Sequence, residues 1–539
     1  MKNKVLLSLL SALLITLLPM VSCRKVDYSK VASAAWAPEV AVPLATASYS
    51  VYDILTNQDS AGLLTTDSDG AVILAYGISQ DLITAGEYLV FPDQSENFSE
   101  DVSDYSGTFV PFLPYTGDTT LSINEEIDFN NDQGAEIYSI DFSDGEMTVS
   151  ARTDLQHDVQ FDITFPDLLN NGVPVNVLLD LTYDGSIPAE RATESIVDLS
   201  NSNLDLSIGG TTFNKLRMNA DITVTSNNNN PITGTESFDF GMSIADPTFD
   251  LITGYFGTQE LFSYADTIGI RLFDKFVNGQ VQFTNPTIDL AFHNSFGLPI
   301  QLNFNQVKTI EDDGNSFQLS GAPTDFTIEA SPAQGTTQTS ELSLNSMTTN
   351  NIGSIISPTP KDLIFDLGST LNPDGPTTNF ISADSKLSAD INLTMPLEGY
   401  AFGFLLRDTI DVDLNLPEQL EEVSFRFGTN NGFPTRMGVR MFMVDENYDL
   451  LFELTDPDDN LFMIAAPVDV TGEVTESAEK ITDVTVAEED LEKLSKVKHL
   501  VIEATGRTLQ ADKNLVVKIF DYYKLDLKIG MTAKGAIKL

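Results

Sequence analysis

Along most of this 539-residue chain apolar and polar residues alternate with period two, and that period sets the class of structure. Successive side chains of a strand point to opposite faces of its sheet, so each such run buries one face and wets the other. Val159, Phe161, Ile163 and Phe165 make one run, closed by Pro166. Tyr138, Ile140 and Phe142 make another; Asp144-Gly145 reads as a hairpin turn after it, and Met147, Val149 and Ala151 resume the pattern. The same spacing recurs at Phe238, Phe240, Met242 and Ile244, at Ile288, Leu290 and Phe292, at Ile391, Leu393 and Met395, and at Ile410, Val412, Leu414 and Leu416. Strands at this density, separated by Gly, Asn, Asp and Pro, predict an all-β protein: several antiparallel β-sandwich or curved-sheet modules in tandem, with few short helices. The clearest helix is Ala487 to Lys496, with acids at its start, Lys493 and Lys496 at its end, and Leu491 and Leu494 on one face.

Three turns echo one another. Asn170-Asn171-Gly172-Val173-Pro174, Asn294-Ser295-Phe296-Gly297-Leu298-Pro299 and Asn430-Asn431-Gly432-Phe433-Pro434 each place an Asn/Gly turn before an apolar residue and a proline, then a strand. Their prolines lie 125 and 135 residues apart, a domain's length. A shorter echo pairs Asp246-Pro247-Thr248-Phe249-Asp250-Leu251 with Asn285-Pro286-Thr287-Ile288-Asp289-Leu290. The expected division is a signal segment at 1–22, an anchor, tether and small N-terminal segment at 23–100, and a sandwich body of one or two modules at 101–345. A linker with a further β segment at 346–420 and a C-terminal sandwich with one helix at 421–539 complete it.

The chain opens with Lys2 and Lys4, an apolar run from Val5 to Leu18, and Pro19-Met20-Val21-Ser22-Cys23. A positive start, an apolar core and small residues before a cut are the parts of a secretory signal, and the run is shorter than the roughly 20 residues a spanning helix needs. Met20-Val21-Ser22-Cys23 resembles the lipobox of bacterial lipoproteins, whose cysteine is acylated and becomes the new N-terminus, with methionine where leucine is usual. Cys23 is the only cysteine, so no intrachain disulfide forms, and lipidation is the role expected for it.

Trp36-Ala37-Pro38-Glu39-Val40-Ala41-Val42-Pro43-Leu44-Ala45 after the lipobox forms one end of a likeness. Asn430-Asn431-Gly432-Phe433-Pro434, Val444-Asp445-Glu446-Asn447, Ala465-Ala466-Pro467-Val468 and Asp521-Tyr522-Tyr523-Lys524-Leu525-Asp526 form the other. In these two ends the chain is similar to uncharacterised multi-module, all-β outer-membrane lipoproteins of Bacteroidota. The resemblance implies an envelope location and brings no activity with it. The Asn-Ser-Phe-Gly-Leu-Pro turn also resembles that of small β-sandwiches of the water-stress and late-embryogenesis type.

With 29 Lys/Arg against 79 Asp/Glu the formal net charge is −50, which excludes nucleic acid and argues against an anionic membrane surface as partner. The charge is uneven, since residues 480–539 hold 11 basic and 9 acidic residues. Acidic turns such as Asp456-Pro457-Asp458-Asp459-Asn460 read first as solvated surface. Calcium on Asp456, Asp458 and Asp459 is the alternative, although the spaced ligand pattern of a calcium loop is missing. No other cofactor is expected.

No catalytic constellation stands out. His157, His293 and His499 are far apart and in no paired spacing, with hydrogen-bonded or surface roles as their default. A lone cysteine removes thiolate zinc and redox pairs, and no nucleophile elbow or phosphate loop is present. Carboxylate pairs for glycoside hydrolysis are always available among 79 acids, but a single tryptophan, Trp36, offers little sugar platform. The expectation is therefore a non-enzymatic envelope component that binds another envelope protein and touches the membrane through its N-terminal lipid. A carrier of an apolar or glycan ligand is the alternative, and a hydrolase with an unrecognised carboxylate site the third. Four tripeptides, Asp59-Ser60-Ala61, Asp118-Thr119-Thr120, Asp266-Thr267-Ile268 and Asp408-Thr409-Ile410, resemble the O-glycosylation acceptor of Bacteroidota, which implies sugar on one or two of Ser60, Thr119, Thr267 and Thr409. Arg24-Lys25 after the lipobox cysteine lacks the acidic run of surface-exported lipoproteins, so the outer membrane with the body facing the periplasm is expected, and the cell surface is the other outcome.

Overall fold

The computed structural model describes residues 39–55, 64–131, 134–270, 279–311, 314–357, 360–412, 420–456 and 459–535. Cys23, Ser60 and Asp458 lie outside the described residues.

The alternating runs become strands whose burial alternates in step: Val159, Phe161, Ile163 and Phe165 are buried and the residues between them are not. The strands assemble into three antiparallel sandwiches, an all-β, multi-module fold with few short helices. In the first, one sheet runs Gln94–Asp101, Ser237–Tyr255, Glu136–Thr153, Arg191–Asp198. Its other layer runs Asp118–Asp128, Lys215–Thr225, Asp158–Asn170, Val173–Leu181, and Ser202–Asp205, paired with both Glu136–Thr153 and Asp158–Asn170, joins the two layers into one continuous sheet. In chain order this is 1-8-3-6 over 2-7-4-5. The second sandwich repeats it. Val72–Thr84, Lys386–Pro396, Thr287–Asn294 and Gln338–Leu344 face Glu260–Gly269, Asp362–Leu371, Ile300–Ile310 and the pair Ser316–Gln318 and Asp325–Ile328. The third repeats it again. Glu39–Ser50, Lys524–Gly535, Leu420–Asn431 and Ala478–Thr485 face Glu398–Asp411, His499–Thr508, Thr435–Val444 and the pair Leu450–Glu453 and Leu461–Met463.

The order of these segments makes the sandwiches nested in sequence. The first is inserted between strands one and two of the second, and the second between strands one and two of the third. At both of these points, and again after strand one of the first sandwich where nothing is inserted, the first strand ends in a helical turn, Val51–Leu55, Ala85–Tyr88 and Val102–Tyr105, whose leading residue is buried in all three. Consequently Glu39–Ser50 pairs along its length with Lys524–Gly535, and both ends of the described chain lie at one end of the third sandwich.

A buried polar residue closes strand three in every sandwich and turns the chain into the opposite sheet. In the second, Asn294 accepts from the N–H of Phe296 at 2.9 Å and donates to the carbonyls of Leu298 at 3.0 Å and Glu329 at 2.9 Å. In the third, Asn431 accepts from the N–H of Phe433 at 2.9 Å and donates to Phe433, Thr435 and Ile464 carbonyls at 2.8–2.9 Å. In the first, Thr153 takes the place: its hydroxyl accepts from the N–H of Leu155 at 3.3 Å. The missing amide is supplied by Arg191, which donates to Leu155 O at 2.6 Å and to His157 O, the same two positions along the arch, and also to Leu181 and Ala189 carbonyls. Register agrees, since Asn294, Asn431 and Thr153 each pair with the starts of strands six and eight.

Four local expectations change. Asp144-Gly145 is not a hairpin turn. Glu136–Thr153 continues through it as one strand, bent where Gly145 has φ 133° opposite Asp246 at φ 48°; Ser237–Tyr255 pairs with both halves, while on the other side the first half pairs with Ser202–Asp205 and the second with Arg191–Asp198. Asn170 to Pro174 is a hairpin between strands four and five, whereas the turns at Asn294 and Asn431 join strands three and four; only those two are equivalent. Asp246-Pro247 lies inside strand eight of its sandwich while Asn285-Pro286 precedes strand three, so that echo is accidental. The helix near residue 490 is a 3-10 helix, Glu488–Lys496, with i to i+3 bonds at both ends; no side chain caps its first turn, and burial of Leu494 rather than helix propensity holds it.

The sandwiches meet end to end. Between the second and third, Val72 N–H donates to Ile519 O, Ile519 N–H to Leu397 O and Leu397 N–H to Val72 O, at 2.8–3.0 Å, beside a cluster of Val51, Val72, Phe433, Phe520 and Tyr523. Between the first and second, Asn379–Ser382 adds a strand to Ser237–Tyr255, and Phe91 packs edge-on against Phe129 and Phe249. One continuous core joins these two sandwiches.

Candidate binding surface

Because each sandwich receives the next one at the end where strands one and two connect, the first sandwich has that end open. Its connections, residues 102–117, 154–157, 182–190 and 226–236, form the pole opposite the ends of the described chain. Loops gathered at one end of a sandwich are a common place for recognition.

Two of these loops brace each other. Phe112 N–H donates to Ile232 O at 2.7 Å, Tyr115 N–H to Asn230 O at 3.2 Å, and Pro114 bridges to Pro231. Phe109 is buried against Tyr115 and Phe238, closing the core beneath. Glu236, almost wholly buried, accepts from the N–H groups of Thr233, Gly234 and Thr235 and from the Thr233 hydroxyl. Burial pushes its carboxyl up, and those hydrogen bonds outweigh burial and hold it below the usual range. His157 is buried under the same loops. Its Nδ1 accepts from Asn227 N–H at 3.0 Å, which assigns the proton to Nε2, donating to Asn230 O at 3.0 Å. Burial lowers its pKa against the pull of that carbonyl and of Asp158, so the ring is a neutral staple.

On this braced frame Val110, Phe112 and Leu113 are 51%, 75% and 56% exposed. Phe112 has φ 65°, a conformation costly for an aromatic residue and held here by its neighbours. Ser106 to Gly117 and Ser226 to Thr235 carry no charged residue, in a chain of net charge −50. Ile187, 83% exposed, stands at the same pole on the other side. Sequence reading by period missed this loop because it does not alternate; its signal was an uncharged Phe-Val-Pro-Phe-Leu-Pro-Tyr run between two glycines.

The residues singled out by sequence fall elsewhere. His293 lies on an outer sheet face in a row in which Ser79 donates to Asp390 at 2.5 Å, Asp390 meets His293 Nε2 at 3.0 Å, and His293 Nδ1 meets Thr339 at 3.0 Å. The carboxylate stands between serine and histidine, so the histidine cannot take the serine's proton, and the row is a cross-strand ladder. The Ser79 hydroxyl and His293 hold Asp390 below its usual pKa. His499 stacks on Tyr448, centroids 4.4 Å apart, with Nδ1 2.7 Å from Asp411, in an open cleft lined also by Val412, Glu446 and Lys498. Asp459 N–H bonds Asp456 O at 3.2 Å in an exposed turn, and among the described residues no cluster of three or more His, Cys, Asp or Glu could hold a metal. Thr267 and Thr409 are exposed at equivalent places, each on strand two, two residues before the partner of strand seven's first residue. Thr119 is half-buried and its hydroxyl accepts from Tyr115.

No family model matches the chain, and no curated protein matches it. Among solved structures, one from Parabacteroides distasonis, named as a secreted protein, is 14% identical over 53% of this chain and 89% of its own, with a TM-score of 0.30. The exported protein XepA of PBSX is 10% identical over 56% and 86%, with a TM-score of 0.13. A tandem carbohydrate-binding domain of Xyn10C from Paenibacillus barcinonensis is 7% identical over 57% and 98%, also at 0.13.

Proposed function

We propose that the protein is a non-catalytic envelope lipoprotein that works as a stiff spacer, held to the outer membrane by lipid on Cys23 and making its contact through the open pole of the first sandwich. The observation that carries this reading is the opposition of the two ends: the strand that follows the tether enters the third sandwich, and the braced apolar loops crown the first. The junctions support stiffness, because each combines strand or bridge pairing with an aromatic cluster. The sandwich interiors support a spacer over a carrier, since facing sheets meet ring to ring, as at Phe161 with Phe240 and Phe427 with Phe462. The histidines support binding over catalysis, each being committed to a loop carbonyl, a strand ladder or a ring stack.

A photo-crosslinking residue placed at Phe112 in living cells tests the reading, with Tyr448 on the third sandwich as control. Adducts at 112 and none at 448 are expected. Adducts only at 448, or none at either, would overturn it.

A further inference from the structure

We propose that the Val110-Pro111-Phe112-Leu113 turn inserts its side chains into an electroneutral lipid bilayer, an inference that rests on the open pole being the contact end.

The turn first has to be separated from a simple cap. In the second and third sandwiches the corresponding end is covered by the next module, and a terminal module needs something of its own to close its core. Phe109 and Tyr115 do that, being buried or half-buried over Phe238. Val110, Phe112 and Leu113 contribute nothing to closure, yet Phe112 is held at φ 65° with its ring in solvent.

Three observations choose lipid over protein. The backbone of the turn is already paired, Phe112 and Tyr115 to Ile232 and Asn230, so it offers no free edge on which another strand could add. The exposed apolar area of the three side chains is roughly 300 Å², well short of the about 800 Å² per partner of a stable protein interface. A bilayer needs no complementary surface and takes in each side chain separately. Finally, the turn and the loop bracing it are uncharged over Ser106 to Gly117 and Ser226 to Thr235. Exposed Asp104 and Asp118 flank the uncharged stretch in sequence and disfavour an anionic surface.

The test uses the chain from residue 24, which keeps every described residue and lacks the lipid. It is sedimented with vesicles of phosphatidylcholine and phosphatidylethanolamine, with and without phosphatidylglycerol. Binding to neutral vesicles, weakened by phosphatidylglycerol, is expected, and Phe112→Ser with Leu113→Ser should lower the partition at least tenfold with an unchanged melting temperature. In a Trp36→Phe background, Phe112→Trp emission should shift to the blue on adding neutral vesicles. No sedimentation with unshifted emission, or equal binding by the double variant, overturns the inference. If crosslinking at Phe112 captures a protein while neutral vesicles do not bind, the lipid inference falls and the contact end stands; if neutral vesicles do not bind and nothing is captured, both fall.

Discussion

Asn294 and Asn431 each satisfy three or four backbone groups that would otherwise be buried without partners where the chain leaves one sheet for the other. In the first sandwich the same work is divided between Thr153 and Arg191, whose reach from strand six brings a guanidinium to the carbonyls of Leu155 and His157. Arg191→Met should therefore cost about 2 kcal/mol, the scale of buried acceptors left unpaired. Adding Thr153→Asn should recover part of it by restoring the amide found in the other two sandwiches. Urea unfolding of the single and double variants checks this; no recovery would mean the arches are not equivalent. His157 gives a second expectation. The unfolded ring takes up a proton near its ordinary pKa of 6.5 and the buried ring only at lower pH. Its stabilising contribution is therefore complete above about pH 6.5 and is lost as pH falls from there toward the lower folded value. Urea midpoints at pH 7.5 and 5.5 should differ for the native chain and differ less for His157→Gln. The two asparagines of the equivalent arches were legible in the sequence as Asn/Gly turns before a proline. Thr153 and Arg191 were not, because the function survives there while the residue type changes and moves 38 positions along the chain.

Strand spacing was read directly from alternation, since a half-buried strand must put its apolar residues on one side, and Phe238, Phe240, Met242 and Ile244 are all buried as that spacing requires. Partners were not readable. Register is fixed by backbone bonds to segments far away in sequence, and nothing in Glu39 to Ser50 announces Lys524 to Gly535 as its neighbour. Nor does Asp144-Gly145 differ in composition from a hairpin turn; only the continued pairing of Glu136–Thr153 with Ser237–Tyr255 on both sides of it makes it a bend. The repeat of elements sharpens one expectation. Asp266-Thr267-Ile268 and Asp408-Thr409-Ile410 occupy the same stretch of strand two, with both threonines exposed, whereas Thr119 is half-buried. Sugar is expected on Thr267 and Thr409 before Thr119. Peptide mass analysis of native protein checks it: an unmodified Thr267 and Thr409 beside a modified Thr119 would contradict the ranking.

For the whole molecule, the proposed anchoring at Cys23 would put the membrane on the side of the third sandwich, where Glu39 opens its first strand, and the first sandwich at the far end. Cys23→Ser should release the chain from the membrane fraction or leave it unprocessed, and protease added to intact cells should leave the body uncut if it faces the periplasm. Retained membrane attachment would contradict the anchor, and digestion on unbroken cells the orientation. Everything proposed for the contact end depends on its distance from the tether. Strands of about 11 residues give each sandwich a length of about 35 Å, and three end to end a rod near 100 Å with a radius of gyration of about 30 Å. A compact protein of this length has a radius of gyration of about 24 Å. Small-angle X-ray scattering from the chain beginning at residue 24 measures the difference directly. A value near 30 Å with a maximum dimension on the order of 100 Å is the result expected for the rod; a value near 24 Å, with the first sandwich folded back on the third, would contradict it.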